Sequence, residues 1–224
     1  MQNIVSYFCV IFGLMLLLGA FAKLLSKNFY TLHVFVRKFS ILDLEFPDSS
    51  LELTTYIRGI FLLPKELSRR SLRCLKIYLY LDFLFIPLVY GSLFLLCLLI
   101  SAKFTFLGHY IFLILAWLQL IPLICDATKN FFLLKKITPD ASVSKEVVHK
   151  AYLALERIKW LVALVAAVFS LSALFYFWVT GKYSVTSFRF LIIVIIEIVL
   201  FFILRKMFAK GSQIDLDKYQ NIGN

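Results

Sequence analysis

Three carboxylates stand inside or beside long apolar runs, where an acidic group needs a reason to be. They are Asp82, Asp126 and Glu197. A charged side chain at mid-membrane costs about 2.5–3.5 kcal/mol on insertion scales, so each must be paired, protonated or in use. Asp82 and Asp126 are expected at similar depth on neighbouring antiparallel helices. Two such carboxylates could hold a cation, relay a proton, or divide acid and base roles. Tyr90 follows on the segment of Asp82. Gln119, Asp126 and Asn130 are spaced to share one helical face. Arg157 and Lys159 are placed to neutralise the pair. The alternative is structural: each aspartate pairs with an Arg or Lys near the interface and holds helices together. Glu197 has no evident cationic partner and falls near the level of Gln119, Ser170, Ser172 and Tyr90. A neutral, hydrogen-bonded carboxyl joining helices is one expectation, and a proton or ion path is the other.

The elements that carry these groups follow from composition. Of 224 residues, 62% are hydrophobic and only 17% charged. An ordinary soluble domain is about a quarter charged, and a fold of this size has too little interior to hide so much apolar surface. The expected class is all-α: an integral membrane helical bundle of about five transmembrane helices with an amphipathic cytoplasmic insert. The spans are expected near residues 4–22, 77–102, 104–125, 160–181 and 185–204, each close to the roughly 20 residues that cross a bilayer. The fifth is the weakest, because it contains Arg189 and Glu197. The chain divides into an N-terminal anchor (1–26), a basic insert (27–75), a four-helix bundle (76–208) and a tail (209–224).

Lys and Arg distribute over successive inter-span segments as 10, 1, 7, 2 and 4. The alternation predicts an outward N-terminus and a cytoplasmic C-terminus in the inner (plasma) membrane, by the preference of cationic loops for the cytoplasm. The net charge of +11 is read as attraction to anionic headgroups, about 1 kcal/mol per basic residue near the surface, with no nucleic acid implied. Lipids are thus the expected partners, with a homo-oligomer or a membrane protein as the further partner class.

The insert predicts short strands or irregular structure around residues 32–46, where Val34, Val36, Phe39, Ile41, Leu44 and Phe46 mix with charges. Ser49 and Glu52 have capping-box spacing, so a helix should follow with Leu53, Ile57, Ile60 and Phe61 on one face. Pro64 suits the start of another helix, bearing Arg69, Arg70, Arg73 and Lys76 into the next span. A further helix is expected over residues 142–152. Cys9, Cys74, Cys97 and Cys125 lack metal-type spacing and read as small buried apolar groups. His33, His109 and His149 are too scattered for a metal site. No phosphate loop, metalloprotease or hydrolase motif occurs, so no catalytic residue, metal or cofactor is expected.

The segments Ser40-Ile41-Leu42-Asp43-Leu44-Glu45-Phe46, Tyr80-Leu81-Asp82-Phe83-Leu84-Phe85-Ile86-Pro87 with Tyr90, and Asp126-Ala127-Thr128-Lys129-Asn130 together resemble uncharacterised bacterial polytopic membrane proteins with an ILDxE…LDFxFxPxxY…DxxEN pattern. Lys129 departs from it, standing where the pattern has Glu. The resemblance brings no activity. It implies that Asp43, Glu45, Asp82, Asp126 and Asn130 belong to one site. Two functional classes result. One is a non-enzymatic scaffold, sensor or oligomeric pore component. The other is a small transporter or lipid-active membrane enzyme with a cytoplasm-facing acidic pocket around Asp82 and Asp126.

Overall fold

The computed structural model describes residues 2–33, 35–182 and 185–210. The helices are α1 (Gln2–Ser26), α2 (Ile41–Glu45), α3 (Ser50–Leu62), α4 (Lys65–Ser101), α5 (Leu107–Leu118), α6 (Leu120–Lys136), α7 (Glu146–Val179) and α8 (Val185–Lys210). Two short strands, β1 (Tyr30–Leu32) and β2 (Val36–Lys38), pair antiparallel with Thr31 opposite Arg37. The helical character expected from the sequence is therefore present, with one small hairpin added.

Among the described residues, four helical stretches are long and apolar enough to cross a membrane: Asn3–Ser26, Lys65–Ser101, Leu107–Lys136 and Glu146–Val179. Helix α8 is also long, but Arg189, Glu197, Arg205 and Lys206 interrupt it. Most of the expected tail lies outside the described residues, as does Val34. Helix α4 is the hub and packs against α1, α5, α6 and α7, while α8 packs on α1.

Three helices run well past their apolar runs. Helix α4 begins at Lys65, directly after Pro64, and continues through Pro87 without ending. Helix α6 extends to Lys136, and α7 begins at Glu146. The expected third span carries a one-residue turn. It separates α5 from α6 at Gln119, whose backbone stays in the right-handed helical region and whose side-chain amide donates to the Leu115 carbonyl at 3.1 Å. Pro122, three residues on, has no N–H to continue the ladder across this joint.

The insert folds onto the end of the bundle. Ser49 accepts from the Glu52 amide at 3.1 Å, while the Glu52 carboxylate accepts from the Asp48 amide at 2.7 Å, one residue earlier than the capping-box pattern implies. Leu53, Ile57 and Ile60 are buried on the face expected of them, with Phe61 packed alongside. They share a core with Phe29, Val36 and Phe39 from the hairpin, Leu67, Leu75 and Leu79 of α4, Leu133 of α6 and Tyr152 of α7. A second core lies further along the same helices. It joins Cys97 and Ile100 of α4, Phe112 and Ala116 of α5, and Ala166, Ala173 and Phe177 of α7. The four cysteines are free thiols, three of them buried.

The hairpin touches α3 at Gly59. A Cβ there would stand 2.2 Å from Thr31 Oγ1 and 2.4 Å from the Leu32 carbonyl oxygen. Thr31 also donates to the Tyr56 carbonyl at 3.0 Å, so the contact is held on both sides. Gly59→Ala must push β1 outward and should cost about 1–3 kcal/mol, the range for overpacking. Gly91, also helical, has nothing within 4 Å of an added Cβ, so Gly91→Ala should be neutral or stabilising by up to about 1 kcal/mol. Thermal unfolding of the two variants in detergent micelles checks this opposition.

Candidate functional site: a buried ionic layer

Between the two apolar cores, three helices turn polar at the same level. On α4 the change comes between Leu79 and Cys97, at Asp82 and Tyr90. On α6 it comes before Leu133, at Asp126, Lys129 and Asn130. On α7 it comes after Tyr152, at Glu156 and Lys159. Spacings of three and four residues put each set on one helix face. Asp126, Lys129 and Asn130 on α6, and Tyr152, Glu156 and Lys159 on α7, all point inward and are all at most 9% exposed.

The insert supplies the remaining charge. Helix α2 has only five residues, too few to stand alone. A capping box holds its start: Leu42 N–H donates to Ser40 Oγ at 3.0 Å, and Ser40 N–H donates to Asp43 Oδ2 at 2.7 Å. Its far end is tied to α7, where the Tyr152 hydroxyl donates to the Leu44 carbonyl at 2.7 Å. These two attachments direct Glu45 into the bundle.

Lys129 is the centre. Its Nζ lies 2.7 Å from Glu45 Oε1, 2.8 Å from Asp126 Oδ1 and 2.9 Å from Glu156 Oε1. An ammonium has three N–H donors, so three carboxylates can saturate it. Lys159 lies beside it, 2.7 Å from Glu156 Oε2, 3.1 Å from Asp126 Oδ1 and 3.7 Å from Glu45 Oε1. Tyr90 donates to the other Asp126 oxygen at 3.1 Å. Asn130 donates to Asp82 Oδ2 at 2.6 Å. Three carboxylates thus face two ammoniums, with Asp82 attached through an amide.

Of the residues singled out in the sequence, Glu45, Asp82, Tyr90, Asp126, Asn130 and Lys159 meet in this layer. Four others do not. Asp43 turns back to cap α2. Arg157 is exposed and lines a groove of about 910 Å³ with Asp48, Glu146 and His149, because it lies two residues before Lys159 and faces away from it. Gln119 stays at the α5–α6 joint, with its side-chain oxygen unpartnered. Glu197 packs against α1, where a Cβ on Gly13 would stand 2.6 Å from Glu197 Oε1. The partner of Asp82 is an amide, not the expected cation.

Lys129 and Glu156 were not anticipated as site residues. The available signal was the run Tyr152, Glu156, Lys159, which keeps helical phase into the apolar segment that follows. No protein-family model matches the chain. No curated protein and no solved structure matches it either.

Removing one partner of a buried ion pair strands the other charge and costs about 3–5 kcal/mol. Lys129→Met keeps an unbranched side chain one atom shorter and deletes the charge, so it should lose about that much stability. Asp43→Ala loses a cap and should cost about 1 kcal/mol. Chemical denaturation of the purified variants in micelles should rank them in that order.

Proposed function

We propose that this protein is a multi-pass membrane protein of the non-enzymatic scaffold class, whose ionic layer fixes a folded insert to the cytoplasmic end of its bundle. The observation that carries this reading is the position of Lys129, which joins α2, α6 and α7 through three carboxylates. The acidic groups of the layer are engaged with donors: Glu45 and Glu156 with lysines, Asp126 with two lysines and Tyr90, Asp82 with Asn130. Carboxylates held this way are structural ties before they are bases.

The proposed threading has five spans, α8 included, with the N-terminus outside and the C-terminus in the cytoplasm. The surface of α4 supports the level of the cytoplasmic boundary. Exposed Arg69, Arg70, Arg73 and Lys76 give way along the helix to exposed Ile77, Tyr80 and Leu84. A switch from cationic to apolar on a lipid-facing helix suits a headgroup boundary. Anionic headgroups are the proposed partner at this level. The Lys38 amine is held below its ordinary value by burial and by the charges of Lys27 and Lys23, a crowding of cations that an anionic surface relieves.

Two experiments test this. A reporter fused after Asn224 should be active only in the cytoplasm, and activity outside would reverse the threading. Asp82→Asn keeps the shape of the side chain and removes its charge. In the scaffold reading the variant assembles, and cation flux into liposomes carrying it equals that of the wild type. Loss of a wild-type flux in this variant would favour the transporter reading.

A further inference from the structure

We propose that Glu45, Asp126 and Glu156 form a cation site whose occupant is the Lys129 ammonium, a tethered ion standing where a divalent metal of the Ca2+ or Mn2+ class would bind in its absence. The inference rests on the geometry of the layer and is independent of which way the chain threads the membrane.

Four observations carry it. First, one oxygen from each of the three carboxylates lies within 4.8 Å of the others, the spacing of ligands around a shared centre. Second, that centre is occupied. Lys129 Nζ is nearly equidistant from the three, at 2.7, 2.8 and 2.9 Å, and the residue is 2% exposed. Third, the ligands come from α2, α6 and α7, so the fold assembles them and no single acidic run does. Fourth, Glu156 is 1% exposed, and each of its oxygens meets one ammonium, Oε1 that of Lys129 at 2.9 Å and Oε2 that of Lys159 at 2.7 Å. Removing the Lys129 ammonium therefore leaves Oε1 of the most buried ligand without its partner.

Size and donor type choose the ion. All-oxygen donors suit Mg2+, Ca2+ and Mn2+. Oxygens at 2.7–2.9 Å from the occupied centre need contract only by a few tenths of an ångström to reach Ca2+ distances of about 2.3–2.6 Å, and much further for Mg2+ at about 2.0–2.1 Å. Three carboxylates against the one remaining ammonium of Lys159 leave an excess of negative charge for a divalent ion to offset. Lys159 stays in contact with the same oxygens, so the affinity will be lower than for an isolated tricarboxylate.

The test uses the full chain in nanodiscs, with Mn2+ as the probe and electron paramagnetic resonance as the readout. Lys129→Ala empties the centre and should bind one Mn2+ per chain, competed by Ca2+, at least about tenfold more tightly than the wild type. Its thermal midpoint should rise with Mn2+. Lys129→Arg keeps a cation among the three carboxylates and should show neither effect. Adding Glu156→Gln to Lys129→Ala should weaken the binding. A folded Lys129→Ala that binds Mn2+ no better than wild type overturns the proposal, as does equal binding by Lys129→Arg. If Lys129→Ala accumulates only when Mn2+ or Ca2+ is supplied, the proposal is supported. If it never accumulates, Lys129→Asn is carried through the same preparations, and failure of both variants to fold with Mn2+ present overturns it.

Discussion

A buried ammonium carries one charge and three N–H bonds, and away from water all of them must be met by the protein. Lys129 meets this demand with one carboxylate from each of three elements. The rest of the arrangement is organised around that requirement. Helix α6 must place Asp126 one turn away, α7 must present Glu156, and the insert must deliver Glu45. The short helix α2 has little stability of its own, so its capping box and its bond from Tyr152 to Leu44 are what keep Glu45 in reach. The ionic layer gives direction to contacts that the flanking apolar cores alone would leave undirected.

The position of the layer follows from how far the helices extend. Had α4, α6 and α7 ended with their apolar runs, their polar ends would have been loops in water. They continue as helix, and their inward faces stay in phase. Apolar packing then seals the polar level from both sides: Leu79, Leu133 and Tyr152 on the insert side, Cys97, Ala116 and Ala166 on the other. Burial strengthens each ionic contact and raises the cost of any missing one. A self-contained arrangement is the consistent outcome, and it makes the insert part of the bundle.

Much of this was legible in the residues. Apolar runs of span length mark the helices, and the Ser49 cap and the Leu53–Ile57–Ile60 face follow from spacing. The meeting of Asp82 with Asn130, and of Glu45 and Tyr90 with Asp126, was within reach of the motif pattern. The centre was not. Lys129 and Glu156 lie outside the apolar core of any span, and a reading by hydropathy treats such residues as loop charges. Whether Arg157 or Lys159 enters the layer depends on helix phase, which only a continuous α7 defines. Asp43 and Glu45 differ by two residues on a helix of one turn, so one caps and the other reaches inward. The joint at Gln119 is hidden because apolar residues surround it, with Pro122 as the only signal.

The central claim is that Lys129 and its carboxylates stabilise one another as a unit, and a double-mutant cycle measures this directly. Stability is determined for the wild type, Lys129→Met, Glu45→Gln and the double variant, all in the same micelles. A coupling energy within the range of about 0.5–3 kcal/mol seen for contacting pairs, toward its upper end, is predicted, with the double variant far less damaged than the sum of the single ones. Additivity within about 0.3–0.5 kcal/mol would contradict the account, because Glu45 would then not be held by the buried ammonium.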